Sequence, residues 1–295
     1  MSLAALVRGA VPGIGMMLLG MLLFAANDTL ARWLVGAYAV GQLVLVRSIA
    51  GLAVMTPSLW RAGIRAVRLA PRPGLQLVRG VLSTLESALF FYALTELPVA
   101  EVIAYYLAAP IYVTALSPWL LGERVGWRRW TAVAVGFSGV LLALHPSPAG
   151  LSTGALCALT GSVAYALFLI STRRLAGTDG SVLMGVQLIA ALLLGATLVA
   201  VQGWAPPGLR DLVLMLVLGV GSLAGNLCVN RALRLAPASV VTPFSYSMIV
   251  WGLLFGWLFL GELPAPPALA GAAVIVGAGL AIFVREQALR RARDG

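Results

Sequence analysis

Ten long apolar runs, at 12–34, 40–60, 75–95, 98–121, 127–144, 152–173, 182–201, 210–235, 239–260 and 268–284, take up most of this 295-residue chain. Runs of that length suit a lipid core, because a spanning helix needs roughly 20 mostly apolar residues and lipid-exposed backbone must satisfy its own hydrogen bonds. With 61% hydrophobic residues, 10% charged residues and a mean hydropathy of +0.98, the composition lies outside the range of soluble globular chains. The connections are too short for an extramembrane domain. The expectation is an all-α integral membrane protein of ten transmembrane helices. Run one, after Arg8, imitates a secretory signal with Ala25-Ala26 as a false cleavage site, but it continues to Trp33 and is read as the first span.

The formal net charge of +10 is carried by arginine alone among the basic side chains, as the chain has no lysine. When the runs alternate in direction, Arg8, Arg61, Arg65, Arg68, Arg72, Arg79, Arg124, Arg128, Arg129, Arg173, Arg174, Arg231, Arg234, Arg285, Arg290, Arg291 and Arg293 fall on one side. Arg32 and Arg210 fall on the other, and Arg47 lies within run two. The positive-inside rule then places both termini in the cytoplasm, N-in and C-in, in the cell inner membrane. This accounts for the basic charge without a nucleic-acid partner. Trp33, Trp60, Trp119, Trp127 and Trp204 stand at run ends, where an aromatic belt belongs.

The chain also repeats itself. Phe91–Pro98 aligns with Asn230–Pro237, Gly122-Glu123 with Gly261-Glu262, and Gly80 with Gly219, all at a shift of 139 residues. Arg32–Gly36 resembles Arg173–Gly177 at a shift of 141. Each copy holds five runs, and an odd number inverts the second copy relative to the first. The expected domains are 1–146 and 147–295, two inverted five-helix repeats of the kind secondary transporters use.

These segments resemble the drug/metabolite transporter superfamily, in its EamA-like ten-helix branch. The resemblance spans essentially the whole chain. It rests on Phe24–Arg32 in run one, Gly41–Ser48 in run two, Phe90–Leu94 in run three, Ala109-Pro110, Leu120–Arg124, Gly136 and Gly139, and in the second half on Gly261-Glu262 and Gly277–Gly279. The Asn27-Asp28 and Arg47-Ser48 pairs are most similar to a branch that moves S-adenosylmethionine, riboflavin or an opine-type metallophore. The resemblance implies a carrier without ATP hydrolysis, and the chain has no phosphate-loop motif.

Ionisable groups within spans cost several kcal/mol when unpaired and are functional candidates for that reason. At ~1.5 Å per residue, Asp28 lies ~24 Å up run one and Arg47 ~10 Å down run two, so both belong to the outer half. They are expected either to orient a substrate carboxylate or to brace two helices. Glu86, ~17 Å into run three, is the deepest carboxylate and is expected to hold a substrate amino group or to carry a coupling proton. Ser222, Asn226 and Asn230 in run eight recur every four residues on one face, either as a site stripe or as interhelical hydrogen bonds. Glu101, Tyr105 and Tyr112 share a face of run four, and with Tyr106, Tyr246 and Trp251 they are candidates for a pocket lining. Pro110 and Pro243 are expected to break runs four and nine, and Gly221 with Gly225 to allow close helix packing.

No metal or other cofactor is expected. His145 is the sole histidine, and Cys157 and Cys228 lie singly in apolar runs, which supplies neither a nucleophile–base pair nor a ligand set and argues against an enzyme. A channel remains the other reading of a polar-lined repeat interface. The mixed lining of carboxylate, arginine, asparagine and aromatics favours a carrier for a small zwitterionic, amino-acid-derived solute. Its direction is read as export, with uptake of a vitamin or nucleoside-like solute as the alternative.

Overall fold

The structure is a computed structural model that describes residues 3–68, 71–120, 152–175, 178–235 and 242–262, with further positions scattered over 127–142 and 266–277. Its elements are α1 (Leu3–Val35), α2 (Val40–Arg68), α3 (Pro73–Glu96), α4 (Val99–Tyr106), α5 (Ala109–Leu120), α6 (Thr153–Arg174), α7 (Gly180–Gln202), α8 (Leu209–Leu235) and α9 (Ser247–Phe255). A 3₁₀ turn, Thr242–Tyr246, leads into α9, and a π turn, Gly256–Leu260, leaves it. Among the described residues there is no strand. Among the described residues, six helices are long and apolar enough to cross a membrane: α1, α2, α3, α6, α7 and α8. Runs five and ten, His145 and Glu123 lie wholly or largely outside the described residues, although the described positions from Trp127 to Leu142 are helical.

Local chemistry starts these helices where the sequence changes character. Ser152 Oγ accepts the Ala155 amide at 3.1 Å, and Asp179 Oδ1 accepts the Ser181 amide at 2.8 Å, so side chains occupy donors the first turns of α6 and α7 leave free. Run four is not one helix. It breaks at Leu107 and Ala108, and Pro110 stands in the first turn of α5, where its missing amide removes no helical bond. At a shift of 139 residues, this break coincides with the change from 3₁₀ turn to α9 at Tyr246-Ser247. Both interrupted runs therefore switch backbone conformation at corresponding points.

Packing repeats the same correspondence. α1 packs on α8 as α3 does on α6, and α2 packs on α8 as α3 does on α7. α2 crosses α7, and α9 crosses α4. Exchanging each first-half run for its second-half counterpart maps these pairings onto one another. Two glycines show how closely. A Cβ on Gly219 would strike the Arg47 carbonyl and lie 2.8 Å from Ala50 Cβ, while one on Gly80 would meet Val186 O at 3.4 Å and Ala190 Cβ at 3.2 Å. Val186 and Ala190 are Arg47 and Ala50 displaced by 139 and 140 residues.

Arg79 sits inside the bundle. It is buried in α3, donates from Nε to Thr172 Oγ1 at 2.8 Å and from Nη1 to Leu183 O at 3.1 Å, and lies 4.7 Å above the Phe168 ring. It pins α3 to α6 and α7. Leu77, Val78, Val81 and Leu85 of the same helix face outward, as lipid contact requires.

Candidate functional site

α1, α2 and α3 bring Asp28, Arg47 and Glu86 within electrostatic reach of one another. Neither carboxylate lies within 4.0 Å of the guanidinium. Instead Arg47 Nη2 donates to Ser87 Oγ at 3.1 Å, and Ser87 Oγ donates to Glu86 Oε2 at 3.2 Å. The guanidinium also lies 5.0 Å over the Phe91 ring. Ser87 and Phe91 are four residues apart and form one gripping face of α3, from which Glu86 is rotated by a quarter turn. Asp28 is buried, and its Oδ2 has no hydrogen-bond donor. A direct Asp28–Arg47 contact is thus absent here, since the guanidinium is held by α3.

The run-eight stripe divides by depth. Ser222 Oγ accepts from Asn27 Nδ2 at 3.0 Å, which joins α8 to α1, and Asn226 Nδ2 donates to the Ser222 carbonyl at 2.9 Å. Asn230 lies two turns further along and lines a cavity. Gly221 and Gly225 permit this crossing: a Cβ on them would come 2.7 Å from Asn27 Oδ1 and 2.7 Å from the Phe24 ring.

Of the run-four tyrosines, Tyr106 turns toward the charges. Its hydroxyl donates to the Glu86 carbonyl at 3.1 Å, and its ring meets Phe90 edge-on at 5.0 Å and Tyr165 at 6.0 Å. Tyr165 in turn stacks with Phe168 at 6.1 Å. Tyr105 points about 100° away into the main core, with Glu101 as its charged neighbour in the first turn of α4. Tyr246 joins that core and Tyr112 packs against it, whereas Trp251 packs beside Met17 and Met21 with its Nε1 buried and unpartnered. Ser87 and Tyr165 are neighbours of the cluster that the sequence reading missed, and Asn27 entered it only through the family resemblance. Ser87 and Asn27 adjoin Glu86 and Asp28 in the chain, which was the available signal; Tyr165 had none.

The two ends of the bundle differ. At the arginine-poor end, Arg32 Nε and Nη2 both donate to Glu262 Oε1, at 2.8 and 2.7 Å, and Nη1 donates to the Leu94 carbonyl. Gly261, at φ 65°, makes the left-handed turn that aims Glu262. Further ties surround this latch. Tyr38 donates to Asp211 at 2.6 Å, which pushes the phenol above its ordinary pKa, and Gln42 bonds both ways with Ala205. At the arginine-rich end an open cavity of about 610 Å³ lies between α1, α2, α7 and α8, lined by Met16, Ser58, Ser181, Met184, Asn230 and Arg231 among others. A smaller apolar cavity, about 380 Å³, lies beside Thr29, Trp33 and Phe259. Asp28, Arg47 and Glu86 line neither of these two.

Long apolar helices that carry buried ionisable side chains define a multi-pass membrane protein. The chain is 30% identical to a riboflavin transporter of Rhizobium johnstonii over 99% of this chain and 97% of that one. It is 24% identical to an S-adenosylmethionine uptake transporter of Rickettsia felis, covering 93% of each, and 28% identical to the pseudopaline exporter CntI of Pseudomonas aeruginosa, covering 92% and 95%. A solved crystal structure of 21% identity has the same fold, with a TM-score of 0.62 over 98% of this chain and 99% of that one. The EamA-like transporter family matches residues 11–145 and again 152–284, and this chain belongs to it.

Proposed function

We propose that the chain is a secondary carrier of the cell inner membrane that exports a small zwitterionic, amino-acid-derived solute. It works as two inverted five-helix repeats, 1–146 and 147–295, with ten spans and both termini in the cytoplasm. The observation that carries this reading is the Asp28–Arg47–Glu86 cluster. Two carboxylates facing one guanidinium would leave one negative charge over if both ionised, deep among apolar helices, and Asp28 Oδ2 lacks a donor. An unbalanced buried charge is costly, so the cluster suits a transient cation, either the ammonium of a solute or a coupling proton. The guanidinium is the natural partner for the solute's carboxylate.

The ends supply the access. With the arginine-rich end in the cytoplasm, the open cavity faces the cytoplasm, while the Arg32–Glu262 latch closes the outer end. From Ser222 to Asn230 the path along α8 is ~12 Å. The broken runs four and nine give each repeat a place to bend. Loading from the cytoplasm fits export, and the relative named a pseudopaline exporter supports that direction.

Uptake of a planar vitamin or nucleoside-like solute is the second reading. The ring series Phe90, Tyr106, Tyr165 and Phe168 beside Glu86 favours it, as do relatives named for riboflavin and S-adenosylmethionine. Counterflow in proteoliposomes separates the readings, using labelled riboflavin, S-adenosylmethionine and an amino-acid-derived zwitterion as probes. Saturable counterflow of the zwitterion is expected. Counterflow of riboflavin alone would favour the second reading, and flux that never saturates would make the protein a channel.

A further inference from the structure

Arg47 and Glu86 are the opposite charges that α2 and α3 bring together, yet they do not touch. In the low dielectric of a bundle interior a bare guanidinium and carboxylate attract strongly, and a direct bidentate pair is their preferred geometry. What intervenes is one hydroxyl. Ser87 Oγ accepts from Arg47 Nη2 at 3.1 Å and spends its single proton on Glu86 Oε2 at 3.2 Å. Phe91, one turn along the same face, sets its ring 5.0 Å from the guanidinium.

We propose that Ser87 is a positioning residue that holds the Arg47 guanidinium off the Glu86 carboxylate, which keeps that carboxylate free to take up and release a cation. A carboxylate locked in a direct ion pair would exchange a proton or an ammonium only against the whole energy of that pair. One relayed through a hydroxyl keeps a partner in its empty state and gives it up cheaply. Ser87 also leaves a second carboxylate, Asp28 on α1, to share the same guanidinium's field.

Among the described residues, the groups that face Glu86 are few. They are Asp28 from α1, Arg47 from α2, Tyr106 from α4 and Tyr165 from α6, with Cys157 of α6 beside Tyr106. α7 also packs on α3, but Gly180–Gln202 contains no titratable side chain. Arg47 is the sole cation of this set, so its distance from Glu86 dominates the balance between charged and neutral carboxylate.

The role of the carboxylate in transport rests on the carrier reading; its proton affinity does not. The test is therefore made on the purified full chain in nanodiscs, by infrared titration of the carboxylic-acid carbonyl band that Glu86→Gln removes. In Ser87→Ala the guanidinium is expected to close on Glu86 and the midpoint of that band to move about one pH unit or more to acid, a tenfold weaker hold on the proton. Ser87→Thr keeps the hydroxyl and should restore the wild-type midpoint; Ser87→Cys, a poor bridge, should shift in the direction of Ser87→Ala. An unchanged midpoint in Ser87→Ala overturns the proposal, and so does an equal shift in Ser87→Thr. Counterflow of the three probes is measured in parallel: a wild-type protein that moves none of them refutes the carrier reading and leaves the infrared result standing.

Discussion

Glu86 and Ser87 are neighbours in the chain, but a helix turns them about 100° apart, so one meets the aromatic side of the site and the other meets Arg47. Glu86→Gln keeps the shape and removes the charge. If Glu86 holds a substrate cation, the variant should bind the zwitterion probe about 1.5–3 kcal/mol more weakly. If it carries a coupling proton, the variant should lose pH-driven accumulation and keep exchange. Unaltered binding together with unaltered pH dependence would remove Glu86 from the site. Asp28 and Arg47 share a field without touching, so Asp28→Asn and Arg47→Gln should each impair transport, and their combination should fall short of additivity by about 0.5 kcal/mol or more. Strict additivity would mean that the two act separately. The acidic and basic candidates were readable from the sequence because charge in an apolar run stands out. The serine was not, because a hydroxyl in a helix is unremarkable until a guanidinium is seen on it.

Helix crossings are where glycine matters most in this bundle. Gly219 lets α8 lie against the Arg47 carbonyl of α2, and Gly80 plays the matching part between α3 and α7 with more room to spare. Gly219→Ala should therefore cost ~1–3 kcal/mol and lower the unfolding temperature of detergent-solubilised protein, with Gly80→Ala the milder of the two. An inverted order would show that the crossings adjust more freely than their spacing suggests. The latch at the arginine-poor end is asymmetric: Glu262 Oε1 takes both donors of Arg32, and Oε2 is buried without one. Such a pair is not the strongest the two groups can make. Either Arg32→Gln or Glu262→Gln should raise maleimide labelling of a cysteine at Thr29, one turn below Arg32. The exchange Arg32→Glu with Glu262→Arg should restore protection, and labelling that never changes would exclude a gating role.

For the whole molecule, the orientation proposed from the arginines has a direct check. In a background without Cys157 and Cys228, an impermeant maleimide applied to intact cells should label a cysteine at Trp204 and leave one at Arg174 untouched. Both positions are exposed, so the contrast reports the side of the membrane. Labelling at 174 from outside would reverse the topology, and with it the direction in which the open cavity faces. At the 139-residue shift, Gly219 lies against Arg47 and Ala50 of α2, and Gly80 lies against Val186 and Ala190 of α7.

Much of this protein is legible in one dimension. Apolar run length, arginine placement and the repeat are properties of the chain read residue by residue, and lipid as solvent leaves a helix as the outcome for such runs. Which side chains meet is a different matter. Arg32 finds Glu262 across 230 residues, and Asn27 finds Ser222 across 195. Tyr106, not Tyr105, turns to the charges, and run four breaks at Leu107-Ala108, three and two residues ahead of its proline. These outcomes depend on how far each helix is rotated about its axis and how closely it crosses its neighbours. Hydropathy is nearly blind to rotation when a helix is apolar all round, so glycine contacts and a few buried hydrogen bonds set it, and those exist only once the helices are packed.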